Sequence, residues 1–193
     1  AKMAGIDVPA WRVVKVLKKS VLIIKRFDRI QGERVHFISG MTMLGAADNE
    51  RHSYLELAHA LIQHSSLPEK DLAELWRRMG FSVMIANTDN HLRNHGFLYE
   101  IHKGWRLSPA YDMNPTPLSI APRVLTMAIS FDDSSADLDL ALSVVQEFRL
   151  SHRDAKEIIN QVQKAVTQWR NVATQLGITN QECDQMASAF WDR

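Results

Sequence analysis

A chain of 193 residues that is 46% hydrophobic and 23% charged is ordinary for one compact domain with a core of its own, and a tight fit for two. Its formal net charge of +1, with no dense Lys/Arg run, makes no electrostatic case for gripping nucleic acid or an anionic membrane, so any nucleic-acid role has to come through a partner. The single cysteine, Cys183, excludes an intrachain disulfide and a cysteine-based zinc site; no apolar run approaches the roughly 18–20 residues of a membrane span and no signal-peptide pattern opens the chain, so a cytosolic protein is expected.

Ala1-Lys2-Met3-Ala4-Gly5 reads as the end of a helix closed by a glycine, with Pro9 soon after, as if the chain began inside a domain. Two alternating runs follow, Trp11 to Leu17 and Ser20 to Phe27, separated by Lys18-Lys19; they predict an antiparallel pair, and Arg34 to Ile38 offers a third strand. From Ser53 the period turns helical. Ser53 and Glu56 form a capping-box signature ahead of Tyr54, Leu57, Ala58 and Leu61, and a second helix starts near Pro68 with Leu72, Leu75, Met79, Val83 and Ala86 on one face. Gly96 to Tyr99 and Trp105 to Leu107 read as a short two-strand element. Past an acidic loop, Phe131 to Asp139, Ser151 opens one long helix whose apolar face (Ala155, Ile158, Val162, Ala165, Trp169, Val172, Leu176) ends at Gly177. Thr179 and Glu182 cap a last helix through Met186 and Phe190.

Residues 85 to 117, "IANTDNHLRNHGFLYEIHKGWRLSPAYDMNPTP", hold two Asp, four Asn and three His between apolar runs. A carboxylate at Asp89, followed at the fifth position by the amide of Asn94, offers a base and a neutral metal ligand that a non-helical loop can turn into one cavity. Asp112 follows just beyond the two short strands. Oxygen-rich sets of this kind suit Mg²⁺, and Asp, then Asn, then a hairpin, then Asp is the order in which protein kinases hold a substrate hydroxyl and their metal.

"NTDNHLRNHGFLY" and "WRLSPAYDMNPTP", with "RFDR" at 26 to 29 and "RVHFISG" at 34 to 40, resemble the C-terminal portion of the HipA family of serine/threonine kinase toxins. The resemblance covers nearly the whole chain. It implies ATP and Mg²⁺ as cofactors, Asp89 as the catalytic base, Asn94 and Asp112 as metal ligands, His91 at the nucleotide phosphates, and Tyr111 just before the metal-binding Asp. It also implies that "RFDR" is the hinge that reads adenine through backbone groups, which brings in Lys25, Phe27 and Asp28. The fold so implied is α+β: a small antiparallel sheet and hinge over residues 1–40, then a mostly helical domain like a protein-kinase C-lobe over 41–193. As partners the resemblance gives a protein substrate, with a glutamyl-tRNA synthetase as one family target, and a DNA-binding HipB-type antitoxin.

Each residue also has a plainer reading. Asp89 and Asn94 are common turn formers; His91 is a solvated loop side chain, His95 a group at the edge of the core, Phe27 and Trp105 core aromatics, and Arg77-Arg78 a solvated helix face. The sequence also departs from what phosphoryl transfer needs, because it holds no glycine-rich phosphate loop and no convincing Lys for the α- and β-phosphates. In the family those parts lie upstream, so the expectation is a fragment, or one half of a split protein, that is inactive alone and needs a complementary N-lobe segment or chain. Two rivals stand beside the kinase: a non-catalytic module that binds an antitoxin or such an N-lobe, and a metal-dependent hydrolase using Asp89, His91 and Asp112.

Overall fold

The computed structural model describes residues 1–17 and 19–191. A 3-10 turn at Lys2–Ala4 is closed by Gly5 in the left-handed region, φ 77°, as the glycine predicts. Strands β1 (Trp11–Val16) and β2 (Lys19–Ile24) pair antiparallel, with Trp11 opposite Ile24 and Val16 opposite Lys19. Of the expected Lys18-Lys19 separator, Lys19 opens β2 and Lys18 lies outside the described residues. The second run stops three residues short of Phe27. Lys25 N still donates to Ala10 O at 2.8 Å, and the next hydrogen-bonded pair in this register, Val8 with Phe27, is not formed.

The third strand expected over Arg34–Ile38 is divided between two sheets. Strand β3 (Arg29–Ile30) pairs with β4 (Glu33–Arg34), whereas β5 (Phe37–Ser39) pairs with β6 (Gly96–Glu100), which pairs in turn with β7 (Gly104–Leu107). Ile38 lies opposite Phe97, and both meet the core, so burial draws β5 away from the exposed hairpin. Gly96 faces Ser39 in this pairing; a Cβ there would run into the Phe37 ring and come within 2.8 Å of Ser108 Oγ.

Helix α1 (Gly40–Leu44) is capped by Ser39, and α2 (Tyr54–His64) carries the predicted capping box in full: Glu56 N donates to Ser53 Oγ and Ser53 N donates to the Glu56 carboxylate at 2.6 Å. Helix α3 (Pro68–Met84) has Pro at its first turn, and its stripe of Leu72, Leu75, Met79 and Val83 is fully buried. Arg78 corrects the solvated-face reading: only 4% exposed, it donates to Glu74 and, through Nη2, to Ser108 O at 2.7 Å. Asp71, also on α3, holds β7 by taking the Arg106 guanidinium, Leu107 N and Ser65 Oγ.

The acidic loop ends earlier than its charges suggest, because Asp137 caps a short helix, α4 (Leu138–Ser143), whose continuation buries Val145 and Phe148. The single long helix expected from Ser151 to Leu176 is broken into α5 (His152–Val166) and α6 (Trp169–Gln175). At the break Thr167 Oγ1 bonds back to Lys164 O, and Trp169 leaves the α5 line to stack on Phe190 with centroids 4.0 Å apart. The stop at Gly177, φ 80°, and the Thr179–Glu182 box of α7 (Asn180–Met186) are as read from the sequence. The architecture is α+β, small antiparallel sheets followed by a mainly helical body. Among the described residues no helix is long and apolar enough to cross a membrane.

Candidate active site

The end of β2 and the segment after β7 enclose a cleft of about 390 Å³, with Ile24, Lys25, Arg26, Phe27 and Asp28 on one side and Phe37 and Tyr111 on the other. Lys25, Phe27, Asp28 and Tyr111, picked out separately in the sequence, therefore share one cavity. Phe27 stacks on Tyr111 (centroids 5.8 Å apart, planes at 27°) and leans on Phe37 (6.0 Å). Because the ladder is not continued past Lys25, the main-chain groups of Arg26 and Phe27 have no partner among the described residues. A flat aromatic wall beside an unpaired main-chain edge suits a planar heteroaromatic ring. Asp28 is already engaged. Arg26 holds both its oxygens at 2.8 and 2.6 Å and Arg29 adds a third bond, and these partners, the Arg26 hydrogen bonds foremost, bring its pKa down to about 2.

The Asp89–Asn94 loop leaves the end of α3 through Ala86, which takes a left-handed φ of 46°. Asn94 Nδ2 donates to Asp89 O at 3.1 Å, so its amide oxygen is the end left for a ligand. The Asp89 carboxylate is exposed and has no hydrogen-bond partner among the described residues. The segment carrying Asp112 is fastened to this loop at both ends. Tyr111 hydroxyl donates to Arg93 O at 2.7 Å, and on the other side Thr88 Oγ1 donates to Thr116 Oγ1 at 3.0 Å while Thr116 N donates to Ala86 O at 3.1 Å. Burial pushes the Tyr111 phenol up to about 12, which keeps it a donor. Asp112, between these fastenings, has the uncommon left-handed φ of 57° and accepts a bond from Asn114 at 2.7 Å.

Beneath the loop lies a buried polar floor that the sequence did not reveal. Asn90 donates to the hydroxyl of Tyr54 and, at 3.4 Å, to Ser82 Oγ, and all three are buried. His95 is a core residue, 3% exposed, with its ring edge-on to Tyr54 and both ring nitrogens without a hydrogen-bond partner among the described residues; burial first, then the Arg78 and His91 charges, drives its pKa down to about 3. His91 faces elsewhere. It lines a second cavity of about 280 Å³ with Asp48, Glu50, His52, Arg93 and Met127, and its Nδ1 is buried without a partner among the described residues.

The donors available to a metal ion at the loop are oxygens, from the Asn94 amide and the exposed Asp112 carboxylate, a set that fits Mg²⁺ rather than a soft transition metal. Among the described residues no three His, Cys, Asp or Glu side chains converge as a metal cluster, so the Asp89–His91–Asp112 grouping that a hydrolase would use is not assembled.

Residues 1–169 match the family model of the HipA-like C-terminal domain. Among curated proteins, the chain is 32% identical over 131 residues to "Putative kinase Y4dM" of Sinorhizobium fredii, covering 60% of this chain and 32% of that protein. It is 28% identical over 137 residues to a "Putative kinase" of Haemophilus influenzae, covering 63% and 38%. The chain thus spans about a third of the length of the curated relatives it matches. Among solved structures, HipA of Shewanella oneidensis, in complex with HipB and its operator DNA, superposes with a TM-score of 0.81 at 18% identity, over 98% of this chain and 50% of that one. The Helicobacter pylori proinflammatory kinase CtkA gives 0.50 at 13% identity, over 83% and 76%.

Proposed function

The chain belongs to the family of HipA-like C-terminal domains, and on that premise we propose that it is the hinge- and metal-holding part of a serine/threonine protein kinase. The observation that carries this reading is the double fastening of the Asp112 segment onto the Asp89–Asn94 loop, beside a cleft walled by Phe27 and Tyr111. In the reaction the substrate hydroxyl oxygen bonds to the γ-phosphorus of ATP, the bond to the β–γ bridging oxygen breaks, ADP leaves, and the hydroxyl proton passes to Asp89. Asp89 suits this because its carboxylate is exposed and uncommitted. Adenine would lie against Phe27 with its polar edge at the main chain of Arg26 and Phe27. Asn94 and Asp112 would hold Mg²⁺, which when bound neutralises the phosphate charge. The phosphate loop and Lys, unrecognisable in this sequence, we assign to residues outside it.

The target is then a protein Ser or Thr hydroxyl, and glutamyl-tRNA synthetase is the first to assay. By extension from the Shewanella complex, the partner is a HipB-type antitoxin, with any DNA contact made through it. The exposed β1–β2 hairpin favours a second reading, a binding module that engages such a partner without turnover. Phosphoryl transfer from radiolabelled ATP by the intact protein, with Asp89→Asn alongside, separates the two. Turnover that falls by a factor of about 100 or more in the variant supports the kinase. Equal turnover removes Asp89 from the base role, and none in either protein favours the binding module.

A further inference from the structure

The exposed Asp89 carboxylate has nothing of its own to aim it, so its direction is set by how the neighbouring backbone is held. Three holds are visible. Thr88 O accepts from Thr126 N at 3.0 Å and from Thr126 Oγ1 at 2.7 Å, Asp89 O accepts from Asn94, and Asn90 drops its side chain into the buried floor. The first two are exposed or half-exposed and so open to competition from water. The third is buried on every side: Tyr54 is 0% exposed, Ser82 2% and Asn90 4%. Tyr54 is itself held on several sides: it starts α2 inside the Ser53–Glu56 capping box, its N donates to Ala128 O at 2.9 Å, and the His95 ring packs edge-on at 5.7 Å.

We infer that Tyr54 is a positioning residue for the proposed phosphoryl transfer: its hydroxyl, by accepting the Asn90 amide, fixes the backbone of Asp89 and so the direction of the carboxylate. The inference rests on the kinase reading of Asp89. Removing that one oxygen leaves the aromatic ring and the core around it in place, but leaves the buried Asn90 amide with only its long bond to Ser82 Oγ, 3.4 Å. A buried amide left under-satisfied is costly, so the side chain shifts toward Ser82 or toward water and carries the adjacent residue with it. A shift of about 1 Å at a reacting group is enough to lose about 100-fold in rate. Burial keeps the Tyr54 phenol protonated, its pKa up to about 12, so the arrangement does not come undone by ionisation across the neutral range.

The test uses the intact protein with Tyr54→Phe, Asn90→Leu, the double variant, and Asp89→Asn as control. For Tyr54→Phe the expected result is a kcat about 10- to 100-fold lower with KM for MgATP changed by less than about twofold, and faster amide hydrogen exchange over residues 88–95 but not over α5. The double variant should be no slower than the slower single one, because the two groups act as a unit. If Tyr54→Phe does not fold, Asn90→Ala removes the same bond from the loop side and is read the same way. Unchanged exchange at 88–95, or faster exchange with wild-type kcat, overturns the inference. Should Asp89→Asn retain full turnover, the kinase reading of Asp89 fails by itself, and the exchange data still decide whether Tyr54 holds the loop.

Discussion

The β1–β2 hairpin and the α2–α3 helix pair are built from the same kinds of side chain and meet opposite fates. Val13, Leu22 and Leu17 are 46%, 57% and 93% exposed, whereas Leu57, Leu72 and Leu75 are each 0% exposed. What separates them is a second layer. The helices are covered by each other, by α5 and by Phe148, while the hairpin strands leave nearly every side chain exposed. Apolar content alone does not bury a residue, and a two-stranded ribbon cannot supply its own cover.

That contrast can be broken or sharpened by substitution. Leu75→Ala, deep in α3, should cost about 2–5 kcal/mol in a denaturant titration, since it empties a packed site. A smaller loss would mean that the α2–α3 core relaxes like a surface. Acid is the next probe. His95 titrates near 3 in the folded chain against an ordinary value of 6.5, so the unfolded state takes up the proton first as the pH falls. Its contribution is complete above about pH 6.5 and is lost progressively toward pH 3, reaching about 2 kcal/mol by pH 5. His95→Leu should flatten that part of the stability–pH curve, and an unchanged slope would show the buried imidazole to be irrelevant to it. Ser53→Ala should cost about 1 kcal/mol by removing half of the capping box that seats Tyr54. Smallest of all, Leu22→Ser on the hairpin should change stability by under about 0.5 kcal/mol. A loss as large as that of Leu75→Ala would reveal a cover over the hairpin in the intact protein.

The same contrast explains what the sequence made legible. Caps and stripes are local, so the boxes at Ser53 and Thr179, the Pro68 start and the Gly177 stop could be read from a few adjacent residues. The order of Asp89, Asn94, Tyr111 and Asp112 was legible for a similar reason, being carried by a short stretch. Failures came where a distant partner decides the outcome. Arg34–Ile38 has strand character throughout, but Phe97 decides which sheet receives Phe37–Ser39. The periodicity from Ser151 to Leu176 is unbroken, yet Phe190 takes Trp169 off the line. Tyr54 sits in an apolar stripe and nothing near it in sequence announces Asn90, 36 positions on. Arg78 looked like half of a solvated pair because its acceptor, Ser108 O, lies 30 residues away.

Position 96 links the sheet to the cleft through a single ring. Phe37 lines the cavity beside Phe27, while the edge of its ring occupies the space where any side chain on residue 96 would begin. A methyl group there displaces the ring toward Phe27 and narrows the slot, or else forces β5 and β6 apart. Under sequence drift, then, this site behaves as a gatekeeper on a lineage rather than as a hinge in the molecule. Descendants that accept even alanine at 96 have to part β5 from β6 or shrink residue 37, and the second route widens the cleft, so ligand preference changes as a by-product of repacking on the neighbouring strand.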